Sequence, residues 1–119
     1  MMDKNVLEIQ DKLIRYATSL DSRNWDALNK VFDKSATAEY GSDSIDLKIK
    51  SSSRADIVKM CQSSLNGCGF TQHLLGNFRI NIDSANATSS CYVRVYHVGK
   101  KPNEKEFYEM FGEYVDQWK

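Results

Sequence analysis

Apolar positions along the chain change their period once, near residue 69. From Val6 to Leu20 they recur at three- and four-residue steps (Val6, Ile9, Leu13, Ala17, Leu20), which predicts an amphipathic first helix. Asp21-Ser22 is expected to end it, with Ser22 capping a second helix that carries Trp25, Leu28, Val31 and Phe32 on one face. Residues 36–41 read as a strand with Tyr40 near its end, and the segment 45–49 as a hairpin arm beside it. Ser53, with Asp56 three residues on, opens a third helix to about Leu65, and Gly67 and Gly69 stop it. The helical period then vanishes. Three long strand-like runs follow, at 70–82, 87–98 and 107–118, separated by Asp83-Ser84-Ala85-Asn86 and Lys101-Pro102-Asn103-Glu104.

Strands joined by short turns pair antiparallel, and strands this long must twist and curl. The curled sheet needs helices over its concave side. Gly76 and Gly112, each inside a strand, are expected points of strong bending. The pattern therefore predicts one α+β domain over 1–119: N-terminal helices packed on a curved, mainly antiparallel sheet. Such a cone has an open mouth and forms a natural small-molecule pocket.

Composition narrows the function. A chain of 119 residues supports one core, and 41% hydrophobic with 27% charged residues is the balance of a globular protein. Sixteen basic residues face sixteen acidic ones, with no basic stripe, so a nucleic-acid partner is not expected. No apolar run approaches the roughly 20 residues of a membrane helix. The N-terminus lacks the order of a secretion signal. No membrane partner is expected. Cys61, Cys68 and Cys91 form no paired framework, which suits half-buried thiols in a reducing compartment and a cytoplasmic protein.

Both histidines fall in strands. In the second long run Cys91, Val93, Val95 and His97 share one face, and Tyr92, Arg94 and Tyr96 take the other, so His97 belongs inside. His73 shares a face with Thr71, Leu75 and Asn77. The opposite face, Leu74, Phe78, Ile80 and Ile82, is more apolar, which leaves the orientation of His73 open; a bulge at Gly76 would reverse it partway. Asp21, at the junction of the first two helices, either bonds nearby backbone or serves as the carboxylate partner of a histidine. Tyr16 and Tyr40 are phenols able to polarise a carbonyl or to edge a core. Two histidines and a carboxylate also compose a metal facial triad, but these lie on three separate elements with no local ligand spacing, so no metal is expected.

Taken together, Tyr16-Ala17-Thr18-Ser19-Leu20-Asp21-Ser22-Arg23-Asn24-Trp25-Asp26-Ala27-Leu28, Tyr40, Thr71-Gln72-His73-Leu74-Leu75-Gly76-Asn77 and Val93-Arg94-Val95-Tyr96-His97 resemble the SnoaL-like superfamily. Within it they are most similar to the scytalone dehydratase-like branch of the nuclear-transport-factor-2-like (cystatin-like) cone fold. The resemblance runs in order through nearly the whole chain. It implies a cofactor-free enzyme that removes water from a hydroxylated ring ketone. His73 matches the acid/base histidine, His97 a second pocket histidine, Asp21 the carboxylate paired with His97, and Tyr40 one of two tyrosines that activate the carbonyl through water. The second activating tyrosine is replaced by Leu20, and the sheet-end Ser and Asn of that branch correspond to Gly112 and Tyr114. Tyr16, Leu20, Asn77, Val95 and Tyr114 are expected to line the substrate. Relatives add one more strand after the one ending near Trp118, so a C-terminal strand is expected to be missing here.

The expected activity is that of a lyase or isomerase on a small hydrophobic cyclic or polyketide-like carbonyl compound, with no cofactor. The alternative is a non-catalytic binding or assembly module on the same scaffold. Aromatic residues expected on the convex sheet (Phe78, Tyr92, Tyr96) suggest a homodimer or homotrimer.

Overall fold

The apolar stripe of the first helix serves two clusters of one core, joined at Tyr114, in the computed structural model, which describes residues 3–42 and 46–119. In α1 (Lys4–Ser22), Ile9 and Leu13 pack on Ala87 and Cys91 of the sheet, with Leu75, Phe78, Ile80 and Ile82 around them. One to two turns later Tyr16 and Leu20 pack on Leu28 of α2 (Trp25–Asn29) and on Ile57, Cys61 and Leu65 of α3 (Arg54–Leu65). One helix thus fastens the other two to the sheet.

Local chemistry sets the helix ends, with one revision. Ser22 is the last residue of α1, its Oγ donating to the Thr18 carbonyl at 2.8 Å. The cap of α2 is Asn24, whose side chain accepts from the Ala27 amide at 3.1 Å. The chain needs an extra residue to turn: Arg23 adopts a left-handed conformation (φ 58°), and its amide closes onto Leu20. The second helix is therefore shorter than expected, and Val31 and Phe32 pack on the core from beyond its end. Ser53 caps α3 as expected, accepting from the Asp56 amide at 3.2 Å.

A hairpin of β1 (Ala38–Ser42) and β2 (Leu47–Ser51) aligns Tyr40 with Ile49. The first strand begins two residues later than the sequence pattern suggests, and Ile45, the expected start of its partner, lies outside the described residues. The main sheet is antiparallel, in the order β3 (Cys68–Asp83), β4 (Asn86–Gly99), β5 (Phe107–Trp118). Among the described residues no helix is long and apolar enough to cross a membrane.

Two bulges control which side chains of β3 face the helices. Between the pairs Gly76↔Tyr92 and Arg79↔Ser90, two residues of β3, Asn77 and Phe78, oppose Cys91 alone. The extra residue reverses the alternation. Before it Thr71, His73 and Leu75 point inward; after it Phe78, Ile80 and Ile82 do. This corrects the expectation that Leu74 shares a face with Phe78, Ile80 and Ile82, since Leu74 is outward and exposed. It also moves Asn77 off the His73 face: the residue sits in the bulge at φ 52° and is exposed. Phe78, expected on the convex surface, belongs to the core. A second bulge offsets Cys68↔Gly99 from Thr71↔His97. The β4–β5 register is unbroken past Gly112, so that glycine introduces no shift.

Candidate active site

Asp21, in the last turn of α1, reaches the sheet where β3 turns His73 inward. Its Oδ1 accepts from His73 Nδ1 at 2.7 Å and from Thr71 Oγ1 at 3.0 Å, and its Oδ2 accepts from the His73 backbone amide at 2.9 Å. Burial pushes this carboxyl up. The bonds from the His73 ring and amide, the His73 charge and the Thr71 hydroxyl together more than offset that, holding it below the ordinary carboxylate range. A carboxylate held as an acceptor makes Nδ1 the protonated ring nitrogen of neutral His73 and leaves the lone pair on Nε2.

The expectation that Asp21 pairs with His97 is thus corrected. Both carboxylate oxygens are engaged by His73 and Thr71. Thr71 stands opposite His97 in the β3–β4 register, so His97 lies two pairs further along the sheet than His73, on the same face. The two imidazole centroids are 5.7 Å apart, and the Tyr108 ring of β5 lies 5.7 Å from His97 on its other side. His97 Nδ1 is 3.8 Å from Cys68 Sγ, while its Nε2 is buried and has no hydrogen-bond partner among the described residues. Burial, then the neighbouring His73 and Arg23, push the His97 pKa down; Asp21 opposes them without winning. His97 is therefore held toward its neutral form, since burial disfavours the charge and adjacent imidazoles resist sharing it.

Arg23 is a site residue that the sequence reading assigned no role. Its left-handed backbone turns the side chain back under α1, where Nη1 donates to Thr71 Oγ1 at 2.8 Å and to the Leu20 carbonyl at 2.9 Å. Its Nη2 donates to the Gly69 carbonyl at 2.7 Å. Thr71, receiving from Arg23 and donating to Asp21, has its hydroxyl direction fixed. Arg23, Thr71, Asp21 and His73 form one chain of hydrogen bonds across three positions in space. The signal available in sequence was only adjacency: Arg23 follows Asp21 by two, and Thr71 precedes His73 by two on the same face.

Tyr16, Tyr40 and Tyr114 meet elsewhere on the inner side. The Tyr16 and Tyr40 hydroxyls share a 2.7 Å hydrogen bond, and the Tyr114 ring packs edge-on to Tyr16 at 5.5 Å. Burial raises all three phenols well above their ordinary range, and it raises the adjacent Cys61 thiol despite hydrogen bonding from the phenols. Burial also pushes Cys91 up to about 11, helped by Asp116 and Glu113. Asp116, inward on β5, is raised by burial alone. Leu20 is enclosed in the helical core, and Val95, buried, pairs directly with His73 in the sheet. Among the described residues no set of three His, Cys, Asp or Glu side chains converges to hold a metal ion.

The arrangement can move protons: an imidazole base with a fixed tautomer, a carboxylate behind it, and a second imidazole with an unmatched nitrogen alongside. The sequence profile of the SnoaL-like domain matches residues 4–119. An uncharacterized protein of Mycobacterium tuberculosis (strain H37Rv) is 32% identical over 87 residues, 70% of this chain and 54% of its own. The chain thus spans about half the length of the curated relatives it matches. Among solved structures, a candidate aromatic ring hydroxylase from Novosphingobium aromaticivorans superposes with a TM-score of 0.79 at 25% identity, over 94% of this chain and 76% of that one. A candidate scytalone dehydratase from the same organism gives 0.80 at 21% identity, over 98% and 76%. A nuclear-transport-factor-2-like superfamily protein from Salmonella enterica gives 0.77 at 13%, over 95% and 78%. With its helices packed on an antiparallel sheet in that same cone, this chain belongs to the SnoaL-like domain family, on the nuclear-transport-factor-2-like fold.

Proposed function

We propose that this protein is a cofactor-free lyase or isomerase that acts on a small cyclic or polyketide-like carbonyl compound by acid–base chemistry. The observation that carries the reading is the grip of Asp21 on His73. Three donors hold the carboxylate in its charged form, and the carboxylate holds the His73 proton on Nδ1, leaving Nε2 as a base. Nε2 would remove a proton next to the substrate carbonyl, and Asp21 would stabilise the imidazolium that forms. The same proton would then go to a departing hydroxyl, giving dehydration, or to a carbon further along, giving a double-bond shift. The unmatched Nε2 of His97 would take a hydrogen bond from or to the substrate oxygen. The Tyr16–Tyr40 phenol pair would polarise the carbonyl, a bond that gains strength where water is scarce.

The test is a screen of cyclic hydroxyketones and related enolisable carbonyls, followed by His73→Ala and His97→Ala on whichever compound turns over. General acid–base assistance contributes roughly a hundred- to ten-thousand-fold, so His73→Ala should lose that much in kcat with substrate binding largely kept. His97→Ala should raise KM and lower kcat together. Full activity in His73→Ala would refute the mechanism. Tight binding of small apolar carbonyls by all variants, with no turnover by any, would make the protein a binding module.

A further inference from the structure

The bulge at the start of β3 turns a thiol toward the histidine site. Between the pairs Cys68↔Gly99 and Thr71↔His97, two residues of β3, Gly69 and Phe70, oppose Val98 alone. Gly99 stands two residues beyond His97 on β4 and shares its face, so Cys68, opposite Gly99, turns to that face as well. The bulge depends on glycine: a Cβ at Gly69 would stand 2.8 Å from the Gly99 carbonyl oxygen. Cys61 and Cys91 are 5% and 1% exposed inside the core, and burial raises both thiols. Cys68 is half-buried, the one thiol of the three with access from outside.

Cys68 Sγ lies 3.8 Å from His97 Nδ1 and 3.7 Å from the Ser64 carbonyl oxygen in the last turn of α3, so its proton has two acceptors in reach. A thiol attacks only after losing that proton, and a neutral imidazole beside it serves as the base. His97 is that imidazole: burial and the adjacent His73 and Arg23 favour its neutral form. With the Nδ1 lone pair turned to the thiol, the ring carries its own proton on Nε2. That nitrogen exposes less than 1 Å² and has no acceptor among the described residues. A buried N–H in this state calls for an acceptor, which a ligand oxygen supplies. Nucleophile, base and unused donor thus meet around one ring. Their common target is a carbonyl conjugated to a carbon–carbon double bond, where a thiol adds to the β-carbon while charge develops on the oxygen.

We propose that Cys68 and His97 form a capture site for α,β-unsaturated carbonyl compounds, in which the thiol adds covalently to the β-carbon. The thiol proton passes to His97 Nδ1 as the sulfur–carbon bond forms. The π electrons of the double bond move toward the carbonyl oxygen as an enolate, which accepts from the Nε2 hydrogen. The proton then returns from Nδ1 to the α-carbon, leaving a thioether ketone and a neutral ring, with no oxidant or reductant consumed. Dehydration of a hydroxyketone makes such a compound, but the capture needs no turnover and stands or falls without it.

The test mixes the 119-residue chain, and separately glutathione, with cyclohexenone at neutral pH and follows adducts by intact-mass and peptide mass spectrometry. Cyclohexenone has no hydroxyl to lose, so the readout is silent on any dehydratase activity. One adduct per chain should form, on Cys68, at least about tenfold faster than on glutathione, since an ordinary thiol is only a few per cent thiolate near neutral pH. Cys68→Ser should abolish it. His97→Phe, with folding checked by circular dichroism, should bring the rate down by about tenfold. Iodoacetamide, which develops no enolate, should gain less over glutathione than cyclohexenone does. Should His97→Phe not fold, the wild-type comparison of the two reagents decides alone. Labelling of Cys61 or Cys91 instead, a Cys68 rate no greater than that of glutathione, an unchanged rate in folded His97→Phe, or an equal gain for both reagents would each overturn the proposal.

Discussion

Two polar clusters on the inner side of the same cone meet burial in opposite ways. Around Asp21 burial disfavours the charge, but three donors (the His73 ring, the His73 amide and the Thr71 hydroxyl) together with the His73 charge outweigh it, and the carboxylate stays charged. Around Tyr16, Tyr40 and Tyr114 the available partners are other phenols and a thiol, and burial wins: the hydroxyls are kept neutral. The lesson is that enclosure alone does not decide protonation; the sign of the neighbours does. One cluster keeps a charge and fixes a ring proton beside it. The other keeps its protons.

The largest effect should come from breaking the first cluster at its carboxylate. Asp21→Asn is nearly isosteric, but its amide can donate to His73 Nδ1 and so move the ring proton to Nε2. Nitrogen-15 NMR should show the Nδ1–H tautomer in the wild type and the Nε2–H tautomer in the variant. Turnover on any substrate found should fall by about a thousand-fold or more, since a base with its proton on the wrong nitrogen cannot act. An unchanged tautomer would remove Asp21 from the mechanism.

Next in size is the phenol pair. Tyr16→Phe leaves the Tyr40 hydroxyl enclosed without its 2.7 Å partner, which should cost about 1–3 kcal/mol in urea unfolding. The double change Tyr16→Phe/Tyr40→Phe should cost less than the two single changes added, because it strands no hydroxyl. Strict additivity would mean that the bond is not a closed pair.

A smaller effect is expected at Arg23. Arg23→Lys keeps the charge but cannot span the Leu20 and Gly69 carbonyls together with Thr71, so stability should drop by about 1 kcal/mol. Arg23→Gly suits the left-handed backbone better but loses every one of these bonds. If Arg23→Gly is as stable as the wild type, the residue serves the turn and not the hydrogen-bond chain.

The smallest effect is the pH dependence, and its sign follows from two depressed pKa values. The Asp21 pKa is lower in the folded protein than in the unfolded chain, so its contribution is fully present above the ordinary value of 3.8 and is lost as pH falls through the folded value. His97 is also depressed. Below its ordinary 6.5 the unfolded chain takes up the proton first, so stability declines with acidification across the window between 6.5 and the folded value. Urea midpoints should therefore fall between pH 7.5 and pH 5 in the wild type. The fall should be shallower in His97→Phe; an identical slope would show that His97 is not the group responsible.

The alternation in β4 was fully legible in the sequence. Cys91, Val93 and Val95 on one side and Tyr92 and Arg94 on the other place His97 inward with no tertiary information, because a strand whose register is unbroken keeps its period of two. The helix boundaries at Ser53 and Leu65 and the three long strands were equally local, set by a cap, by glycines and by turns. Recognisable motif blocks carried Asp21, His73 and His97 to one site. They did not give the partnership within it. The side to which His73 turns depends on the bulge at Asn77, where one extra residue against Cys91 reverses the face, and a lone glycine nearby only hints at that.

The carboxylate's choice of His73 over His97 rests on where α1 lands against β3, a contact between residues 52 apart in the chain. Arg23 acquired its role the same way, through a left-handed turn that sends its side chain to residues 46 and 48 positions away. Periodicity and capping are properties of neighbours, so the sequence by itself determined the main elements and the inward face of β4, the strand whose register is unbroken. Which charge meets which proton is a property of docking, and only the tertiary structure decided it.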